Sequence, residues 1–225
     1  LNLGFKKEVD EIFALLPKKR QNLLFSATLN PNVESITGVL LQNPEVINIA
    51  PKEDHIELIK QTAYAVTKEQ KGPLLRYLIQ KGEGQQTLIF TSSIHQADIV
   101  ETKLNNNNIK AKAIHGKKSQ QARTETLNSF KRGKLRVLVA TDLLSRGIDI
   151  EFLPCVINYE LPRSPKDYIH RIGRTGRAEN PGEAISLITP EDLHHFKVIQ
   201  KKMKKRVELM SLDETKELID SAGNI

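Results

Sequence analysis

The sequence predicts an α/β protein, a parallel β-sheet with helices packed on both faces. Three observations carry this. Apolar runs of strand length alternate with segments of helical period along most of the chain. Several of those runs are continuous rather than alternating, as strands covered on both faces require. Turn and capping residues stand between them, and alternating strands and helices imply parallel strands joined by right-handed crossovers.

Element by element, strands are predicted at Asn22–Phe25, Val46–Ile49, Gln61–Val66, Thr87–Phe90, Ala111–Ile114, Val137–Ala140, Val156–Tyr159 and Ala184–Ile188. Helical periods cover Lys6–Leu16, Pro31–Leu41, Glu69–Gln80, His95–Asn105, Gln120–Arg132, Pro165–Arg171 and Glu191–Lys204. Asn30 before Pro31 and Ser164 before Pro165 each supply a cap and a proline at the first helical position. Ser119 caps the helix that begins at Gln120. Ligands of such sheets collect at the carboxyl ends of the strands. Thr91–Ser93, His115–Gly116, Thr141–Gly147 and Tyr159–Pro162 are therefore expected to crowd one rim.

Pro51, Lys52, Glu53 and Asp54 mark a polar break. Too few strand–helix units precede it to close a domain, whereas those that follow suffice. The expected organisation is a domain remnant over residues 1–50, a linker over 51–56, a complete domain over 57–206 and a short acidic tail over 207–225. The remnant would expose strand edges, which predicts pairing with, or swapping into, a second chain. The chain starts at Leu1 without a basic-then-apolar leader, so a truncated amino terminus is expected.

Composition narrows the classes. One cysteine, Cys155, cannot form an internal disulfide, which favours a reducing, cytoplasmic setting. No Cys/His cluster has zinc-ligand spacing, so no metal site is expected in this chain, and no apolar run is long enough to cross a membrane. Net charge is +7, with a pI near 9.4. Lys103 to Arg136 holds ten Lys/Arg against the single acid Glu125, and Lys201–Arg206 forms a second basic cluster. Such runs suit a polyanion when they share a surface with phosphate-cradling backbone, and otherwise form a solvated face.

The sharpest motif is His170-Arg171-Ile172-Gly173-Arg174-Thr175-Gly176-Arg177. Its three arginines recur every third residue among glycines that let a ligand approach the backbone. Planar guanidinium groups grip phosphate oxygens in forked pairs, so the octet reads as an anion site rather than an arginine-rich loop. Thr141–Asp149 follows an apolar strand, placing a hydroxyl and free N–H groups where a phosphate fits, with Asp149 placed to accept from ribose hydroxyls. Simple helix capping is the alternative for that turn. His115-Gly116 ends another strand, and Gln120 and Arg123 share one side of the next helix start, as a nucleic-acid backbone contact or an ordinary amphipathic turn. Ser26-Ala27-Thr28 offers two hydroxyls at a strand end, a weak signal by itself.

In this order, and with Leu3-Gly4-Phe5 and Leu88-Ile89-Phe90, these segments resemble the DEAD-box RNA helicases, and among them the bacterial type with a minimal core. The resemblance covers nearly the whole chain. It implies a RecA-like fold and a two-domain motor whose cleft, closed by ATP, bends single-stranded RNA and pries a duplex apart. By position, Arg174 and Arg177 match arginine fingers at the γ-phosphate, and Gly147 and Asp149 match the ATP contact. Gly116, Gln120, Arg123 and Thr141 match RNA-backbone contacts with little sequence preference. Ser26, Thr28, His170 and Arg171 match residues that couple the two domains.

Two departures stand out. Ser93-Ile94 replaces a basic pair common in the family, so the Ser93 hydroxyl is expected to substitute for an RNA contact or leave it missing. Neither a G-x-x-x-x-G-K-[ST] loop nor a D-E-A-D tetrapeptide occurs in the sequence. The Mg²⁺-holding acids and phosphate-binding lysine are therefore expected on the missing N-terminal RecA-like domain, and the fragment alone is expected to be inactive. A related DNA helicase half and a non-catalytic RNA-binding module are the competing readings.

Overall fold

The computed structural model describes residues 6–17, 19–25, 45–47, 59–142, 150, 152–176 and 182–222. The chain divides into two compact units, Leu1–Ala50 and Pro51–Ile225. Ser26, Thr28, the helix expected at Pro31–Leu41, the linker, Gly147, Asp149 and Arg177 lie outside the described residues.

In the first unit, helix α1 spans Lys6–Leu15. The strand expected at Asn22–Phe25 is not formed: residues 21–25 have no regular structure, and Leu23 and Phe25 are 70% and 88% exposed. A strand is stabilised by the ladder on its neighbour, and no neighbouring strand exists among the described residues of this unit. Residues 45–47, the described part of the strand expected at Val46–Ile49, are also irregular and exposed.

The second unit is built on a seven-stranded sheet. Its strands are β1 (Lys60–Ala65), β2 (Thr87–Thr91), β3 (Ala111–Ile114), β4 (Val137–Thr141), β5 (Cys155–Asn158), β6 (Glu183–Ile188) and β7 (Glu208–Met210), in the order β3-β4-β2-β5-β6-β1-β7. Every pairing is parallel. The helices are α2 (Lys71–Lys81), α3 (Ile94–Asn106), α4 (Gln120–Lys131), α5 (Pro165–Ile172), α6 (Leu193–Met203) and α7 (Leu212–Ala222). Alternation along each strand sends neighbouring side chains to opposite faces. Ile89, Val139 and Ile157 pack with Leu74, Leu78 and Val100 of α2 and α3, joined by Leu218 and Ile219 of α7. Leu88, Leu138 and Val156 pack with Phe130 of α4, while Ala184 and Ile188 meet Tyr168 of α5 and Phe196 of α6.

Local chemistry sets the helix starts. The hydroxyls of Ser93, Ser119 and Ser164 accept from the backbone N–H of Gln96, Ala122 and Asp167 at 3.1, 3.2 and 3.1 Å, satisfying donors that a first helical turn leaves free. The helix expected from Glu191 instead begins as a 3-10 turn over Pro190–Asp192, where Thr189 and Asp192 cap each other.

The acidic tail is part of this fold. β7 extends the sheet beside β1, with Ala63 opposite Leu209, and α7 buries Thr215 completely. An edge strand this short gives little for another sheet to pair with. Arg136, counted in the basic run, is structural too. It donates to the carbonyls of Ile79, Gly82 and Gln85, clasping the turn after α2.

Cys155 on β5 is 7% exposed, and burial pushes its thiol up to about 12 from an ordinary 9.0. A thiol that resists ionisation when folded stabilises the fold below its ordinary value and loses that contribution as pH climbs above 9.0 towards about 12. A maleimide probe at pH 8 is thus expected to leave native Cys155 unmodified and to label it only through unfolding. Stoichiometric labelling within minutes of the native protein would contradict the burial.

Candidate functional site

The strand register brings the predicted rim together. Ile114 lies opposite Ala140, Thr91 opposite Thr141, and Phe90 opposite Asn158, so four adjacent strands end at one level. Just past β3, the buried His115 bonds through Nε2 to Asp98 Oδ1 of α3 at 2.9 Å, and Lys118 reaches the same carboxylate at 3.0 Å. The His115 bond, with Lys118 adding to it, holds the Asp98 carboxyl below its usual range. This anchor fixes the turn that carries Gly116. Gly116 is exposed, and a Cβ built there would meet nothing within 4 Å. Its backbone therefore faces open space. Gln120 and Arg123 occupy the first turn of α4 directly beyond, and the buried Nε of Arg123 has no hydrogen-bond partner among the described residues. Thr141 closes the rim from β4 and is 8% exposed. Gly116, Gln120, Arg123 and Thr141 thus share one end of the sheet.

The first arginine of the octet does something else. Arg171 has no exposed surface. Its Nε and Nη2 hold Asp142 in a forked pair at 2.5 and 2.7 Å, and Nη1 donates to Asn158 Oδ1 at 3.1 Å and to the Glu160 carbonyl at 2.6 Å. The guanidinium also lies 4.9 Å over the Phe90 ring. A helical side chain leans towards the helix amino terminus. Arg171 therefore reaches back from the last turn of α5 to the strand ends. The expectation that all three arginines meet a phosphate is corrected here: four of the five donors of Arg171 are already used inside the domain. His170, one step round the helix, is exposed.

Polar side chains continue beneath the rim. Asn158 Nδ2 donates to Ser186 Oγ at 3.3 Å, and Ser186 pairs with the Tyr168 hydroxyl at 3.1 Å. Burial pushes that phenol up to about 12, partly opposed by the Ser186 bond. Asn158 belongs to no motif read from the sequence, and His115 and Asp142 enter there only within the His115-Gly116 and Thr141–Asp149 segments, without roles of their own. The available signal was a polar residue inside or directly after a strand otherwise made of apolar residues, as in Cys155-Val156-Ile157-Asn158. The Ser93 hydroxyl accepts from Gln96 N–H as the cap of α3, a role that uses its oxygen and not its O–H donor. Ser92 instead binds Glu160 through both N–H and Oγ at 2.7 Å.

Arg174 sits elsewhere. The turn Gly173–Gly176 returns to the amino end of the sheet, where Thr175 bridges Leu153 just before β5. Leu153 N–H donates to the Arg174 carbonyl at 2.9 Å, and the Thr175 hydroxyl binds the carbonyls of Leu153 and Pro154. Gly176 has φ +81°, and a Cβ at Gly182 would collide with Thr175 Oγ1 and the Gly176 backbone. The half-buried Arg174 is thus carried on a welded turn, at the opposite end of β5 from the rim. Among the described residues no group of three or more His, Cys, Asp or Glu is arranged to hold a metal ion, and no helix is long and apolar enough to cross a membrane.

Comparison with known proteins gives this arrangement a context. The sequence pattern of the helicase conserved C-terminal domain matches residues 70–179. Over 216 residues the chain is 39% identical to the probable ATP-dependent RNA helicase ddx49 of Dictyostelium discoideum, covering 95% of this chain and 42% of that protein. It is 36% identical over 212 residues to the DEAD-box ATP-dependent RNA helicase RhpA of Helicobacter pylori, covering 94% and 43%. The chain belongs to the DEAD-box family of ATP-dependent RNA helicases. The structure of Saccharomyces cerevisiae Dbp5 bound to RNA and ADP BeF3 superposes with a TM-score of 0.76 at 28% identity, covering 99% of this chain and 59% of that one. This DEAD-box chain has the RecA-like parallel fold of its relatives and spans about half the length of the curated proteins it matches.

Removing Asp142 leaves the Arg171 charge buried without its counter-ion. Asp142→Ala is expected to cost about 3 kcal/mol of stability, the lower end for breaking a buried pair because Asp142 remains partly exposed. Denaturant unfolding measures this, and a loss below about 1 kcal/mol, typical of a surface pair, would show that the clamp is not structural.

Proposed function

We propose that this chain is the carboxy-terminal motor half of an ATP-dependent RNA helicase that separates short RNA duplexes by closing a cleft against an upstream RecA-like domain. The observation that carries the reading is the open backbone at Gly116 beside Arg123, whose buried Nε meets no acceptor among the described residues. A phosphate strand laid along the rim supplies what that turn lacks. Gly116, Gln120, Arg123 and Thr141 then contact backbone rather than bases, which favours binding with little sequence preference.

The turn that carries Arg174 is read as part of the nucleotide face. Arg174, with Arg177, reaches the terminal phosphate as an arginine finger, and Gly147 and Asp149 contact the rest of ATP. ATP supplies the phosphoryl group; the contribution of this chain is charge held in position. Such a finger is worth roughly 10³–10⁵ in rate, or about 4–7 kcal/mol of barrier. Mg²⁺ and the phosphate loop belong to the upstream domain. Ser26, Thr28 and His170 transmit closure, while Arg171 couples the faces from inside by tying the α5 end to the rim. The exposed Leu23 and Phe25 fit a surface completed by upstream residues or by a second chain. The buried lone thiol fits a reducing, cytoplasmic setting.

In the full-length protein, Arg174→Ala is expected to lower RNA-stimulated ATP hydrolysis by at least about 10³-fold while leaving RNA affinity nearly unchanged. Near-normal turnover would remove the finger assignment. RNA affinity is expected to fall steeply and log-linearly with salt, by about 0.7 log units per log unit for each neutralised phosphate. Binding that ignores ionic strength would contradict the backbone rim.

A further inference from the structure

Charge divides between the two faces of the domain in a way the rim and the arginine turn do not use. On one face, the outer side of α7 is acidic, with Asp213, Glu214, Glu217 and Asp220 exposed against Lys216. On the other, α5 and α6 lie side by side, their buried Tyr168 and Phe196 rings meeting edge to face at 6.4 Å. Their opposite sides carry Lys166, Lys197, Lys201 and Lys202, all exposed.

Helix α6 contains no acid from Leu193 to Met203, and among the described residues no ion pair joins these four lysines to a carboxylate. On α5 the one acid, Asp167, is engaged by the capping Ser164 hydroxyl at 2.8 Å. Lys197 and Lys201 stand four residues apart on one stripe with His194 and Val198, a spacing at which like charges weaken a helix unless an anion neutralises them. The lysines of the last turn of α6 complement its dipole, but Lys166 lies in the first turn of α5, where a cation is disfavoured.

Both helices begin at the strand-end rim, α5 after β5 and α6 after β6, with the exposed Arg163 at the junction. The basic surface therefore starts where the rim ends and descends the length of α6, about 16 Å. We propose that the outer face of α5 and α6 is a second RNA-binding surface, gripping the phosphate backbone of RNA that flanks the segment held at the rim. RNA is favoured over an acidic protein by this continuity and by the chemistry of the surface. Lysines are point charges suited to phosphates of any sequence. Val198, at 44% exposed, is the one large apolar side chain these two helices offer to solvent among the described residues, too little for a protein interface core.

The proposal rests on the rim being an RNA site, and the experiment separates the two. Salt-dependent binding of the full-length protein is measured to an oligonucleotide just long enough to cover the rim and to the same sequence extended at both ends. The quadruple variant Lys166→Gln, Lys197→Gln, Lys201→Gln and Lys202→Gln touches no buried residue and is checked by thermal unfolding. Expected is a loss of about tenfold or more for the extended RNA, a salt slope reduced by about 2–3, and unchanged binding of the short one. Undiminished affinity for the extended RNA, or equal losses on both, would overturn the proposal. Unchanged RNA binding with lost association to poly-glutamate would assign the face to an acidic protein instead. Wild-type protein that binds neither RNA fails at the rim itself, whereas wild type that gains nothing from the extension fails only here.

Discussion

A guanidinium group with no exposed surface must be neutralised from within, and Arg171 organises the domain around that requirement. Asp142 supplies the counter-charge at the end of β4, Asn158 an acceptor at the end of β5, Glu160 a carbonyl just beyond, and Phe90 an aromatic face on β2. Three neighbouring strands and one helix thereby meet at a single side chain. Burying a charge is costly unless it is paired and hydrogen-bonded, so this cluster tolerates little slippage. It sets the rotation of α5, and that rotation leaves His170 facing solvent while the chain beyond Ile172 runs to the far end of the sheet.

The consequence is a domain whose two sheet ends are tied together through one buried cluster. At the carboxyl ends, the His115–Asp98 bond presents Gly116 with nothing in front of it. At the amino ends, Thr175 and the close approach of Gly182 weld the turn that bears Arg174. Movement of one end relative to the other would have to pass through the Arg171 cluster and the polar chain Asn158–Ser186–Tyr168. In the helicase half proposed above, such stiffness lets closure against a second domain register at both ends together.

The middle of the fold was legible because the signals there are local. Short, largely apolar runs mark β2, β3, β4 and β5 to within a residue, and serine caps mark the starts of α4 and α5. β7 is not legible in the sequence, because Glu208-Leu209-Met210 has no strand character apart from its neighbour β1. Asn22–Phe25 looked like a strand for the converse reason: its pattern is right, but a pattern without a partner does not make a ladder.

Charge was the least readable property. The sequence by itself determined the alternating α/β order, the parallel sheet, the rim residues and the octet by which the family is known, since these depend on periodicity and on short-range geometry. Which basic residues are free to meet an anion was decided only by the tertiary structure. Arg171, Arg136 and Lys71 end as internal donors to a carboxylate or to backbone carbonyls, while Lys166, Lys197 and Lys201 face water. A lysine or arginine looks the same in either role until packing fixes what surrounds it, because burial and counter-charge come from residues distant in the chain.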